Sequence, residues 1–411
     1  MKKILLITAI VGIALAGCKK EKEPNEVFYT VTFDTDGGTI VQSQTVEKGG
    51  TLNEPNEPTK QGSSFDGWYS EAAFTNKVNF PYLVTADITL YAKWTGENGG
   101  GNTGERGQGL YIGGSMTPVN LSSTIGNDIL AKAITYIANG ANNTIYSLVI
   151  DENINNYSGS QGFSKENITL TITSKEPRTI SSTTSRIILT VSGTCKLIIS
   201  GKIIIEGTPA GTGTPQPIIS TSSGGTLVLE EDAILRGNIG AGVNVTSGGI
   251  FIMDGGSITG NVNPSGFGGG VYVMHAGSTF TMKGGSITDN HAPEGGGVQV
   301  YSGTFIMESG WIGNNSALNS GSVVKGITII ASGGYGGGVN VSGSSTATGK
   351  FTMKGGTIYG NNTAEARRNT AISGGAALYK WANGIAEYGN GANIVGTASG
   401  GINNTLTGIN E

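Results

Sequence analysis

Between residues 207 and 411 the main carboxylates are Asp232, Asp254, Asp289, Glu294 and Glu308. Acid–base cleavage of a polymer needs two carboxyl groups held close together, and a hard cation such as calcium needs several oxygens on one face. No paired-Asp motif appears, and lysines stand at positions equivalent to the acids. His275 and His291, the only histidines, fall in or beside expected turns. With no clustered Cys or carboxylate they do not make a metal site, and they read as solvated turn residues. Cys195, in "SGTCKLIISG", has no pairing partner and reads as a small core residue. The segment "GSSTATGKF" (343–351) approaches a phosphate-binding loop. It has five residues between Gly343 and Gly349, and Phe351 where Ser or Thr is required, so it reads as a turn. No catalytic residue, metal or cofactor is expected.

The elements that would position any such group are repeated. "FTMKGGSITDN" (280–290) returns as "FTMKGGTIYGN" (351–361), with looser copies at 251–261 and 305–315. Each unit holds three short runs, for example "GGGVYVM", "STFTMKGG" and "SITDN". Strand periodicity puts Val271 and Val273, Phe280 and Met282, and Ile287 on one side, with Tyr272, Thr281 and Lys283 on the other. One three-strand rung cannot bury its apolar side alone and must stack on its copies. The Met-to-Met spacing is 29, then 25, then 46 residues. The long interval holds either an extra rung, using "SVVKGITII", or an inserted loop across 316–336. A loop is preferred, because no Met-x-x-Gly or Ile-x-x-Asn occurs there.

Two rows follow from the repeat. Asn238, Asn261, Asn290, Asn315 and Asn361 close an Ile/Leu-x-x-Asn pattern. They are expected to form a structural ladder, each Asn taking a left-handed corner and passing side-chain hydrogen bonds to the next rung. Asn244, Tyr272, Gln299 and Asn340 form an outward row on the first strand. Amides plus an aromatic on an uncharged ribbon could hydrogen-bond to and stack on sugars, making this the candidate ligand-binding face. Asp254, Lys283, Glu308 and Lys354 share a third outward position, where opposite charges would meet on adjacent rungs.

The rung length and three-run form resemble a parallel β-helix of the pectin-lyase-like kind. The expected fold class is all-β: a right-handed parallel β-helix (solenoid) over residues 110–411, the hand following from the crossover rule. "GNDILAKAITYIANGA" (126–141) is the one helix, near 127–138. Asn127 or Asp128 can cap it, Ile129, Leu130, Ala133, Ile134 and Ile137 share a face, and Gly140 stops it. It is expected to cap the open end of the stack.

Upstream, residues 28–94 form a separate unit. "F-x-x-x-G-G" from Phe33, "FDGWY" (65–69) and "LYAKW" (90–94) occur in order. This resembles the Listeria–Bacteroides repeat, a small β-grasp-like module of bacterial surface proteins. Trp68 and Trp94 are expected in its core and Tyr69 outside. Residues 95–109 lack apolar side chains and read as a flexible linker. At the start, Lys2, Lys3 and the apolar run Ile4–Ala16 form a signal peptide over 1–17, too short to span a bilayer. Leu15-Ala16-Gly17-Cys18 resembles the bacterial lipobox, which implies an acylated Cys18 as anchor and 18–27 as a solvated tether.

The chain carries 70 Gly, 13% charged residues and a formal net charge of −4. That balance suits short strands and tight turns and gives no reason to expect nucleic acid as a partner. The expectation is a monomeric, surface-exposed outer-membrane lipoprotein, held to the membrane through Cys18. It binds a glycan or a cell surface without catalysis. A polysaccharide lyase or glycoside hydrolase on the same scaffold, or a purely structural surface protein, are the alternatives.

Overall fold

The computed structural model describes residues 27–35, 39, 41–59, 64–71, 76–95, 106–122, 128–157, 161–184, 186–208, 214–360, 367–381, 383–395, 399–400 and 407–408. The signal peptide, Cys18, the Asp36-Gly37-Gly38 turn, Asn127 and Asn361 lie outside the described residues. The chain divides into two compact units, Met1–Gly101 and Asn102–Glu411.

In the first unit, Phe28–Asp34 pairs in parallel with Ile88–Thr95 at the centre of a four-stranded sheet. Gln44–Glu47 and Ser64–Tyr69 add antiparallel edges. Alternation of the central strands turns Val31, Phe33, Leu90 and Ala92 inward onto Trp68, which meets Phe33 edge-on at 4.9 Å. Trp94 is partly buried and its indole N–H donates to the Thr35 carbonyl. Tyr69, expected outside, is buried instead. Its hydroxyl donates to Asp66, and Lys93 lies over its ring.

In the second unit, short strands stack turn upon turn in parallel. Val243–Val245, Val271–Met274, Val298–Tyr301, Val339–Ser342 and Leu378–Lys380 are consecutive members of a nine-stranded ladder. The second and third runs of each rung stack likewise: Thr279–Met282 on Ile250–Met253, and Ser286–Thr288 on Ser257–Thr259. Identical side chains therefore lie above one another. Phe251, Phe280, Phe305 and Phe351 form a buried file with ring centroids 4.7, 4.5 and 4.9 Å apart. Met253, Met282, Met307 and Met353, and Ile258, Ile287, Ile312 and Ile358, form files of their own without solvent exposure. Each such side chain contributes roughly 1.5–3 kcal/mol on burial.

The helix runs from Ile129 to Asn139, with the Asp128 side chain accepting from the Ala131 N–H. Leu130, Ala131, Ala133, Ile134 and Ile137 enter the same core as the first strands. A strand that the periodicity did not reveal, Gly109–Ile112, precedes the helix and pairs antiparallel with Ile145–Val149. The body of the 316–336 interval is an insertion and not an extra rung, while Ser316–Ala317 and Tyr335 near its ends keep their places in the ladder. Val323–Val324 and Ile327–Thr328 form a small hairpin, while Val298–Tyr301 pairs directly with Val339–Ser342.

Candidate binding face

The amide row is the more regular of the two. The Asn290 side-chain oxygen accepts from both the backbone N–H (3.1 Å) and the side-chain N–H (2.9 Å) of Asn261. Asn315 does the same for Asn290, and Asn238 donates its backbone N–H to Asn261. Asn290 Nδ2 also donates to the Ile258 carbonyl, so both hydrogens of this buried amide are used. Two details differ from expectation. The left-handed corner belongs to the residue before each Asn: Gly237, Gly260, Asp289 and Asn314 have φ near +60°, at 68°, 70°, 56° and 57°. The Asn is thereby turned inward. The fifth member in the structure is Asn369, whose Oδ1 accepts from Asn315. It follows the segment 361–366, so spacing alone did not point to it.

The row Asn244, Tyr272, Gln299 and Asn340 is in register as expected, and it continues to Tyr379. It is not an open ribbon. Gln299 and Asn340 are 1% and 0% exposed, while Asn244 and Tyr272 are half-buried. The cover is the glycine-rich turn four residues upstream, folded back over the strand. Gly295 and Gly336 have φ of +62° and +69°, and a Cβ there would stand 2.8 Å from Gln299 Cα and 2.6 Å from Asn340 Cβ. Alternation correctly separates in from out, yet it cannot show that a turn without side chains closes on the outer face. The "GGGV" before Tyr272, Gln299 and Asn340 was the available signal.

That turn carries a second row. Phe267, Glu294, Tyr335 and Gly374 are bridged in parallel, one per rung. Phe267 meets Tyr272 with centroids 5.9 Å apart. Tyr335 meets Tyr379 at 4.7 Å and Trp381 at 5.1 Å. Between these two aromatic groups, Glu294 Oε2 accepts from Asn340 Nδ2 at 2.9 Å, and Asn340 donates equally to Gln299. Burial raises the Glu294 carboxyl above its ordinary value, the Asn340 hydrogen bond opposing in part. Burial also raises the Tyr272 hydroxyl to about 12, aided by Tyr301 and Glu294. Phe267 is 41% exposed, and Tyr272, Glu294, Tyr335 and Trp381 keep part of their surface in solvent. The side chains that sequence reasoning did not place on this candidate face are thus Phe267, Glu294, Tyr335 and Trp381.

The remaining candidates separate. His275 is exposed at a left-handed corner and bonds Thr246. His291, expected in solvent, is half-buried, and its pKa is lowered to about 4 by desolvation and by Lys325, with Asp289 opposing. The cause is the inserted hairpin, whose Lys325 reaches the Gly260 carbonyl. Cys195 is buried and donates to the Lys165 carbonyl. Lys283 pairs with Asp254 at 3.6 Å. No group of three or more His, Cys, Asp or Glu able to hold a metal occurs among the described residues.

Comparison with known proteins addresses the first unit. Residues 29–93 match the Listeria-Bacteroides repeat domain. A putative Gly-rich membrane protein of Evansella cellulosilytica is 43% identical over 67 residues, 16% of this chain and 8% of that protein. A second putative membrane protein of the same organism is also 43% identical over 67 residues. Internalin H of Listeria monocytogenes is 41% identical over 69 residues. The chain spans only 8%, 10% and 12% of the lengths of these relatives. No solved structure matches.

Proposed function

We propose that this is a surface-associated binding protein of a bacterium with an outer membrane, acting in adhesion to a glycan or a cell surface without cleaving it. The observation that carries the reading is the strip on the second unit, where half-exposed Phe267, Tyr272, Tyr335 and Trp381 flank Glu294 on stacked rungs. Aromatic faces give large contact areas to flat, C–H-rich ligands such as sugar rings. A Listeria-Bacteroides repeat at 29–93 and relatives named as membrane proteins and an internalin support the surface location. In this reading Cys18 is lipidated, the stack is a right-handed, pectin-lyase-like β-helix, and the helix at 129–139 caps it. One carboxylate on the strip supports binding over acid–base cleavage, which uses two.

A glycan array probed with the purified protein tests the reading. It expects retention of at least one polymer, no release of reducing or unsaturated sugar, and weakened retention for Tyr335→Ala. Turnover abolished by Glu294→Gln would replace adhesion with catalysis. For the anchor, Cys18→Ser should release the protein from the membrane fraction or leave its signal uncleaved. A fully processed mutant retained in membranes would remove lipidation from the scheme.

A further inference from the structure

Glu294 poses a charge problem that the protein does not solve by itself. One carboxylate oxygen is held by a neutral donor, Asn340 Nδ2. No lysine, arginine or histidine pairs with Glu294 among the described residues, although burial disfavours its charged form. Its neighbours on the adjacent rungs are aromatic: Phe267 and Tyr272 on one side, Tyr335 with Tyr379 and Trp381 on the other. Aromatic faces are negative at their centres, so they favour a cation and do nothing for a carboxylate. A partly buried anion between such rings is complementary to a positive group brought from outside.

We infer that Glu294, with Tyr272 and Tyr335 beside it, is a subsite for the ammonium group of an amino sugar within a glycan. The inference rests on the binding reading above and narrows its ligand class. A sugar hydroxyl would hydrogen-bond to Glu294 but leave its charge uncompensated, whereas an ammonium supplies three donors and the charge together. A sugar carrier suits the site better than a lysine side chain. The rings stand on the rungs either side of the one that carries Glu294, each a strand spacing of roughly 4.8 Å away, and present surface on which pyranose rings can lie.

The test compares glucosamine oligomers with N-acetylglucosamine oligomers of equal length, titrated calorimetrically into the full chain at neutral pH. The amino form should bind about tenfold more tightly, the size of one charge-assisted contact. Glu294→Gln should abolish that preference while Tyr335→Ala weakens both ligands. Equal affinities, an acetyl preference, no binding of either oligomer, or a preference that survives Glu294→Gln would overturn the inference. If the array still retains a polymer in those cases, the broader binding reading stands alone. Polylysine bound as tightly, with the same loss in Glu294→Gln, would overturn the sugar assignment. Should Glu294→Gln not fold, ionic strength decides. Affinity of the native chain for the amino oligomer must fall with added salt, and an unchanged value sinks the idea.

Discussion

At the scale of single residues, two half-buried titratable groups pull stability in opposite directions with pH. Glu294 has a raised carboxyl pKa because burial disfavours its charge. The folded chain therefore holds the proton better than the unfolded one, and stability falls as pH rises through the folded value. Glu294→Gln, which can still accept from Asn340, should melt at a higher temperature than the native chain at neutral pH. The gap should close below the ordinary carboxylate range. A site that costs stability in the empty protein is typical where binding is the selected property. His291 works the other way. Its pKa of about 4 against 6.5 means that the unfolded chain takes up a proton the folded chain refuses. Stability present above pH 6.5 should be lost as pH falls toward 4, by up to roughly 3 kcal/mol. Acid melting curves of His291→Gln should lack that component. Neither residue's role was legible in the sequence, because each depends on a segment folding back: the glycine-rich turn for Glu294, the hairpin for His291.

At the scale of the element, the repeat was legible because its physics is local. Period-two alternation assigned Val271, Val273, Phe280, Met282 and Ile287 to the interior, and all five are fully buried. Ile287→Asp places an unpaired charge there and should cost several kcal/mol, whereas Thr281→Asp, on the outer side, should cost far less. Equal melting temperatures for the pair would contradict the described rung. The amide file adds a second expectation. Asn290→Ala removes the acceptor of both the backbone and the side-chain N–H of Asn261, and takes the side-chain donor away from the Ile258 carbonyl and the oxygen of Asn315. That should cost about 2–4 kcal/mol, well above an exposed Asn substitution such as Asn155→Ala, as read from denaturant midpoints. What spacing could not supply was the switch to Asn369. Asn369, outside the Ile-x-x-Asn pattern, supplies the amide that accepts from Asn315.

At the scale of the whole molecule, the two cores have no residue in common, one built around Trp68 and the other running through the stack. Residues 28–95 and 106–411, produced separately, should each fold and each reproduce one transition of the intact chain in calorimetry. Loss of both transitions in the separated pieces would show that neither unit is independent. The stack has a further consequence, a mechanical one. Among the described residues its ladder strands pair each turn of chain with the next, so a pull on its ends loads the last rung first and peels it like tape. The rung from Asn261 to Asn290 is 29 residues long. Its release lengthens the chain by roughly 100 Å, at 3.3–3.6 Å per residue, and shortens the stack by only about 4.8 Å. Under shear, such a molecule should pay out line one loop at a time, while the rungs below stay stacked.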